Sequence, residues 1–119
     1  MPSFRSFALL VAAVGFAVAL VPRDAAAREV SIFARCIALS GAVFYGAHWC
    51  PACAKQKAAF GDAARLLPYV ECYRPGTRKK LSRCKDVKKF PTWHLPDGSR
   101  HTGVKSFKEL SRLTGCPLR

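Results

Sequence analysis

The sequence predicts an α/β domain in which short strands alternate with helices. An apolar segment, residues 42–46, runs directly into a Cys-x-x-Cys turn with proline after its first cysteine, as expected where a buried strand feeds the start of a helix. Apolar residues recur with a helical period over residues 29–39. Near the end of the chain, Ser106 and Glu109 have the spacing of a capping box, which predicts a final helix.

The middle of the chain predicts one more helix and one more strand. An apolar stripe after the Cys-x-x-Cys turn indicates a helix over residues 51–66, in which Gly61 is a weak point. Residues 69–73 are expected to form a second buried strand, which begins after Pro68.

A hairpin is expected after a short helical turn over residues 86–89. Its first strand, residues 92–95, is followed by the turn sequence Pro96-Asp97-Gly98-Ser99 and then by a second strand, residues 100–102. Gly115 lies just beyond the predicted last helix, where glycine commonly ends a helix.

The first 27 residues have the features of a secretory signal. Arg5 supplies positive charge, residues 7–21 form an apolar run, and Ala25-Ala26-Ala27 is a small-residue cleavage site. The run is shorter than the ~18 to 20 residues of a membrane-spanning helix, so a cleaved signal is favoured over an uncleaved membrane anchor. We therefore expect a signal over residues 1–27, one domain over residues 28–119, and a periplasmic or otherwise exported location.

Net charge and cysteine content favour some classes of function and exclude others. The formal net charge is +13, which attracts acidic partners and anionic membrane surfaces, although a solvated basic face is the commoner explanation. We reject nucleic-acid binding, because no nucleic-acid motif and no basic groove with interleaved aromatic residues is present. All six cysteines follow the expected signal, in agreement with an oxidising compartment.

The Cys50-Pro51-Ala52-Cys53 segment predicts a redox site. Free N–H groups and the positive end of the helix dipole favour a thiolate at Cys50, which we expect to be exposed and nucleophilic. Cys53 lies further into the helix, where burial favours the neutral thiol and a resolving role. His48 either stabilises the Cys50 thiolate when protonated or is an exposed bystander. Lys57 either assists proton transfer or extends past the edge of the core.

These motifs resemble those of the thioredoxin fold. Trp49 and the Cys-x-x-Cys turn after a buried strand, followed by Phe90-Pro91-Thr92, are similar to the active-site turn and cis-proline loop of that fold. Over residues 30–116 the chain more narrowly resembles the thioredoxin-like domain associated with bacterial vitamin K epoxide reductase homologues. That resemblance rests on residues 44–51, 56–57, 60–61, 67–73, 90–93 and 111–116.

The resemblance implies a minimal thioredoxin-like fold, with a central mixed four-stranded sheet flanked by helices, and the activity of an exported thiol–disulfide oxidoreductase. It also implies a cis Phe90–Pro91 bond beside a peptide-binding backbone. The expected active-site wall consists of Trp49, Pro51, Phe90, Pro91 and Thr92. Phe44 stands where thioredoxins carry a buried acid, so no carboxylate acts there.

The expected partners are cysteine-containing exported proteins and a quinone-linked membrane thiol oxidoreductase. We expect a monomer with no cofactor and no bound metal. The residues favour an oxidase, because the Pro-Ala dipeptide, the helix and the local positive charge all stabilise a thiolate. A reductase or an isomerase would use the same residues.

The other four cysteines suggest disulfides. A structural Cys72–Cys84 bond is expected, because it would restrain a basic loop whose like charges repel one another, and a second redox pair is the alternative. Cys36 is either an inert buried thiol or the partner of Cys116, and the residues do not decide between the two.

Two other function classes stay open at this point. A zinc module could use Cys50 and Cys53 with Cys72, Cys84 or a histidine, since Cys-x-x-Cys serves both purposes. A non-catalytic adaptor could keep the fold and use its basic face to dock a membrane partner.

Overall fold

A four-stranded mixed sheet forms the centre of the computed structural model, which describes residues 12–17 and 23–119. The helices and strands are α1 (Arg23–Leu39), β1 (Val43–Gly46), α2 (Pro51–Phe60), β2 (Tyr69–Glu71), β3 (Thr92–His94), β4 (Arg100–Thr102) and α3 (Phe107–Thr114). The strand order is β2-β1-β3-β4, with β1 parallel to β2 and antiparallel to β3, and β3 antiparallel to β4. The architecture is a minimal thioredoxin-like fold, as predicted.

The main core lies between the sheet and the helices. Phe44 of β1 stacks on Trp93 of β3 with 4.7 Å between ring centroids, and both side chains are fully buried. Phe33 of α1, Phe60 of α2 and Phe107 of α3 form an aromatic cluster that joins the three helices. Such aromatic pairs add to the stabilisation from buried area, so the helices and the sheet are fixed to one another.

Strand β1 is not buried evenly on both faces, contrary to the prediction for residues 42–46. Phe44 and Gly46 are buried, whereas Val43 and Tyr45 are only partly buried. Successive side chains of a strand point to opposite faces. Tyr45 therefore packs on a second, smaller cluster, whose buried members are Cys72, Cys84 and Val87.

Two helix boundaries differ from those predicted. Helix α2 ends at Phe60, because Gly61 has φ 54° and the chain continues as a 3₁₀ helix over Gly61–Leu66. Helix α1 begins at Arg23, six residues before the predicted start, and is continuous through the expected cleavage site. Residues 1–11 and 18–22, which make up most of the expected signal, lie outside the described residues. The cleavage stays a prediction.

Some predicted bounds of the shorter elements are wrong, and two other predictions are confirmed. Strand β2 ends at Glu71, two residues early, and β3 ends at His94. The short helical turn before the hairpin lies at Ser82–Cys84 rather than at residues 86–89. The hairpin and the capping box at Ser106 are confirmed. No helix within the described ranges is long and apolar enough to cross a bilayer.

Gly46 permits close packing of a neighbouring ring on β1. It remains in β1, and a Cβ atom there would lie 2.6 Å from Cε2 of Tyr69. Only a residue without a side chain lets the Tyr69 ring approach the strand that leads to the active site.

Gln56 connects the active-site helix to two other elements. Its fully buried side chain accepts hydrogen bonds from Trp93 Nε1 (3.2 Å) and from the Lys105 backbone N–H (2.7 Å), and it donates to the Lys105 carbonyl (3.1 Å). Because a buried amide is costly unless it is paired, these bonds fix α2 against β3 and the approach to α3.

Two disulfides cross-link the domain. Cys36 of α1 is bonded to Cys116 beyond α3, which decides the alternative left open for Cys36. Cys72 is bonded to Cys84, the pairing expected for the basic loop. The sequence separations are 80 and 12 residues, so the two bonds restrain the unfolded chain to different extents.

We expect the Cys36–Cys116 bond to stabilise the domain more than the Cys72–Cys84 bond. In the chain-entropy model, closing a loop of this longer length contributes about 4.5 kcal/mol and the shorter one about 2.8 kcal/mol. Urea unfolding without reductant of the Cys36→Ser/Cys116→Ser and Cys72→Ser/Cys84→Ser proteins, each in a Cys50→Ser/Cys53→Ser background, measures the two losses. A larger loss for the second protein would contradict this expectation.

Candidate active site

The Cys-x-x-Cys turn forms the N-terminal end of α2. The Cys50 backbone N–H donates to the Ala47 carbonyl (3.1 Å), which turns the chain out of β1, and Pro51 occupies the first helical position. Cys50 is the N-cap residue of the helix, and its Sγ accepts the backbone N–H of Cys53 at 3.3 Å. Sulfur takes the place that a serine or aspartate oxygen has at other helix starts.

Both thiols are free, but they differ in exposure less than predicted. Cys50 is 8% exposed and Cys53 is 1% exposed, so the expectation of an exposed Cys50 is wrong. The aromatic side chains around the turn cover Cys50, and its thiol can donate to the Phe90 carbonyl oxygen at 3.7 Å. Cys50 is nevertheless the more accessible of the two sulfurs.

The environment of Cys53 favours its neutral form. Burial, together with the hydrogen bond and charge of Cys50, raises the pKa of the Cys53 thiol to about 12, although the Ala47 backbone and Lys57 act in the opposite direction. At neutral pH Cys53 is therefore a protonated thiol, the state expected of a resolving cysteine.

The expected wall residues divide into an aromatic cluster and a buried backbone. Trp49, Phe90 and Tyr73 meet edge to face, with ring centroids 5.1 to 6.4 Å apart. Pro91 is fully buried after a cis Phe90–Pro91 bond, as predicted, and its carbonyl accepts the Gly103 N–H.

Two expected wall residues lie outside the aromatic cluster that packs on Cys50. Thr92 is buried and its hydroxyl donates to the Lys89 carbonyl, whereas Pro51 is exposed. The wall accessible beside Cys50 consequently consists of Trp49, Phe90 and Tyr73, the last of which the sequence analysis did not include.

His48 binds Glu71 rather than Cys50. Its Nδ1 and its backbone N–H both lie 2.9 Å from Glu71 Oε1. Glu71 also accepts the Tyr73 N–H (3.3 Å) and the Tyr69 hydroxyl (2.5 Å). One carboxylate at the end of β2 thus holds the active-site turn and the chain that leads to the wall residue Tyr73.

These contacts set the ionisation of Glu71. Burial opposes the charged form, but the hydrogen bonds from Tyr69, His48 and Tyr73 together lower the pKa of the carboxyl below its ordinary value of 4.5. The carboxylate is therefore present at neutral pH and accepts all four bonds. A sequence signal existed, because Glu71 is the only acidic residue between Asp62 and Asp86.

Lys57 packs on the same network from the helix side. Its Nζ lies 3.5 Å from the centroid of the Tyr69 ring, a cation–π contact, and its charge slightly lowers the pKa of Cys53. The alternatives given for Lys57 stay predictions.

Arg78 is a further residue that the sequence analysis did not place at the site. Its guanidinium carbon lies 4.3 Å from the centroid of the Trp49 ring. The Trp49 Nε1 is buried and has no hydrogen-bond partner within the described part of the chain. Twenty-nine residues separate the two side chains, so only the fold brings them together.

Two comparisons bear on this arrangement. No protein-family model matches the chain. A segment of 84 residues is 42% identical to thiol-disulfide oxidoreductase LTO1 from Arabidopsis thaliana, which corresponds to 66% of this chain and 22% of that protein. The chain thus spans about a fifth of the length of this curated relative. The likeness and the two free thiols in one helical turn support a redox function.

A metal site receives no support from the cysteines outside the turn. Cys72 and Cys84, two of the further ligands considered for the zinc alternative, are bonded to each other. No cluster of three or more potential histidine, cysteine or carboxylate ligands occurs among residues 12–17 and 23–119.

We expect Glu71→Gln to destabilise the protein by roughly 1–3 kcal/mol at pH 7, the usual cost of weakening hydrogen bonds to a charged group. Because the pKa of Glu71 is lowered on folding, its contribution is complete above pH 4.5 and is lost as the pH falls through the folded-state pKa. Urea unfolding at pH 7 and in acid measures the difference in the free energy of unfolding between wild type and variant. This difference should be smaller in acid.

Asp62→Asn is the matched control, because Asp62 is an exposed acid on the 3₁₀ helix. Its effect should stay within about 0.5 kcal/mol at both pH values. If Glu71→Gln reduces the free energy of unfolding more in acid than at pH 7, the assigned ionisation of Glu71 is wrong.

We expect alkylation at neutral pH to label Cys50 before Cys53. The pKa of about 12 leaves almost no Cys53 thiolate, and the thiolate is the form that reacts with iodoacetamide. Peptide mapping by mass spectrometry after a short pulse of reagent measures the order. Labelling of Cys53 first would reverse the roles given to the two sulfurs.

Proposed function

We propose that the protein is a thiol–disulfide oxidoreductase that exchanges disulfides through Cys50 and Cys53. The observation that carries this proposal is the pair of unequal free thiols in one helical turn, joined by the bond from the Cys53 N–H to Cys50 Sγ. The likeness to an Arabidopsis thiol-disulfide oxidoreductase supports the same chemistry.

The reaction follows from the two positions. The Cys50 thiolate attacks one sulfur of a substrate disulfide, the S–S bond breaks, and the other substrate sulfur leaves as a thiolate. Cys53 then gives up its proton and attacks Cys50, which releases the second substrate thiolate and leaves a Cys50–Cys53 disulfide. The substrate has gained two electrons and the protein has lost two. The reverse sequence oxidises a substrate dithiol.

The accessible surface beside Cys50 fits a peptide substrate. Trp49, Tyr73 and Phe90 supply apolar contacts, and the Phe90 carbonyl lies at the sulfur. Because Cys50 is only 8% exposed, a substrate has to displace part of this wall to reach it. We infer that substrate binding and access to the nucleophile are linked.

The place of action and the partners are part of the proposal. The signal-like segment at residues 1–27 supports export, and the mass of the mature N-terminus tests it. We propose that a monomer acts on cysteine-containing exported proteins and exchanges electrons with a quinone-linked membrane thiol oxidoreductase. The family resemblance of residues 30–116 is the support for that membrane partner. A measured reduction potential decides the direction of electron flow.

The test uses the two single-serine variants with insulin as a disulfide substrate. We expect Cys53→Ser to accumulate a mixed disulfide through Cys50, because the resolving attack is missing. Cys50→Ser should neither exchange nor trap substrate. Non-reducing electrophoresis and mass spectrometry detect the adduct, and its release by dithiothreitol is the control.

Trapping by Cys50→Ser would show that the roles are reversed. If the wild-type protein does not exchange disulfides with insulin or a second disulfide protein, the proposed function is wrong and the adaptor alternative gains.

A further inference from the structure

A basic loop closes one side of the candidate active site. Between Cys72 and Phe90 the chain carries eight lysine and arginine residues and one acid, Asp86, and all eight basic residues are exposed. They are Arg74, Arg78, Lys79, Lys80, Arg83, Lys85, Lys88 and Lys89. Such a density of one charge creates a local field that attracts anionic groups to the neighbouring surface.

Bonds within the loop hold it in place beside the wall. The Cys72–Cys84 disulfide closes its base, the Arg74 N–H donates to the Lys79 carbonyl (2.9 Å), and Leu81 donates to the Cys72 carbonyl (2.8 Å). These bonds bring Arg74 and Lys79 next to the turn that carries Arg78.

Two of the eight basic side chains bond to backbone carbonyls, and the other six, which include Lys85, Lys88 and Lys89, make no hydrogen bond within the described residues. Lys80 donates to the Val87 carbonyl and Arg83 to the Glu71 carbonyl, so these two serve the structure of the loop. The side chains of Arg74, Arg78 and Lys79 make no hydrogen bond and no salt bridge within residues 12–17 and 23–119. We call these three residues the basic triplet.

Arg78 has the geometry of a carboxylate receptor at the active-site wall. Its guanidinium stacks on Trp49, the residue before the nucleophile, at 4.3 Å. An arginine stacked on an aromatic face keeps its planar edge of N–H donors available for a two-pronged bond to a carboxylate. Trp49 Nε1, buried without an acceptor in the described part, is a second unpaired donor at this place.

On the basis of the proposed function, we propose that the basic triplet selects substrates with acidic residues beside the reacting cysteine. An extended peptide advances about 3.3 Å per residue, so a carboxylate over Trp49 belongs to a residue within about three positions of a cysteine at Cys50. The substrate class is therefore a cysteine peptide with flanking aspartate or glutamate.

A peptide fits this position better than an anionic membrane surface does. A flat bilayer that contacted Arg78 would also cover Trp49 and the adjoining Cys50, which would block the exchange. A flanking carboxylate, in contrast, is delivered by the molecule that reacts at Cys50.

The test measures the rate of the same reaction with each of three peptides of identical length. Each has a central cysteine as a mixed disulfide with thionitrobenzoate, flanked on both sides by glutamate, glutamine or lysine. Attack by the Cys50 thiolate on the peptide sulfur releases thionitrobenzoate, whose absorbance gives the rate. Rates with dithiothreitol, which lacks the protein surface, correct for the intrinsic reactivity of each peptide.

We expect the corrected rate for the glutamate peptide to exceed that for the lysine peptide by about tenfold at low ionic strength, and the ratio to fall towards one at about 0.5 M salt. Arg78→Gln should reduce the ratio severalfold, and Arg74→Gln/Arg78→Gln/Lys79→Gln should remove most of it.

The matched control is Arg35→Gln/Arg65→Gln/Lys108→Gln, which removes the same charge from exposed positions on α1, the 3₁₀ helix Gly61–Leu66 and α3. This protein should keep the wild-type ratio. A ratio that falls equally in the control and in the triplet variant would mean that net charge, and not the loop, selects the substrate, which overturns the proposal.

Three further outcomes distinguish the substrate preference, the exchange activity and lipid binding from one another. Equal corrected rates for the three peptides in the wild-type protein overturn the substrate preference and leave the exchange activity standing. Release of thionitrobenzoate from no peptide overturns the proposed function and the preference with it. If the triplet variant loses binding to phosphatidylglycerol vesicles but keeps the peptide ratio, the basic triplet is a lipid surface and the proposal is wrong.

Discussion

The helix start at Cys50 is the constraint on which the site depends. A side chain at the N-cap accepts an N–H from the third helical residue, and here that residue is Cys53. The same turn that begins α2 therefore brings one sulfur to the mouth of the helix and the other into its buried side. The unequal reactivity that we expect of the two thiols follows from where each sulfur lies in one turn of helix.

The rest of the domain fixes that turn from several sides. Gln56 joins α2 to β3 and to the approach of α3 through three hydrogen bonds, and Glu71 holds the chain before Cys50 from the end of β2. The disulfides restrain the periphery, one at the α1 end of the chain and one below the basic loop. Small domains bury little core, so polar bonds and cross-links of this kind replace part of what a larger core would supply.

The loop between Cys72 and Cys84 packs against the sheet and, in the proposal above, also selects substrates. Its disulfide packs with Val87 against the face of the sheet that the helices leave uncovered. Some of its basic side chains bond to backbone carbonyls, while Arg78 reaches the ring of Trp49. The loop that packs on this face of the sheet therefore also contributes positive charge near the nucleophile.

Several helices and strands and the reacting pair of cysteines could be predicted from the sequence, because their signals are local. The capping box, the hairpin turn and Cys50-Pro51-Ala52-Cys53 each act within a few residues. The thioredoxin-like fold was implied by the family resemblance of the motifs around Cys50 and Pro91. Only the tertiary structure decided the near burial of Cys50, the pairing of His48 with Glu71 and the stacking of Arg78 on Trp49. The physical reason is that each of these depends on residues more than twenty positions apart, whose distance is set by strand pairing and not by spacing along the chain.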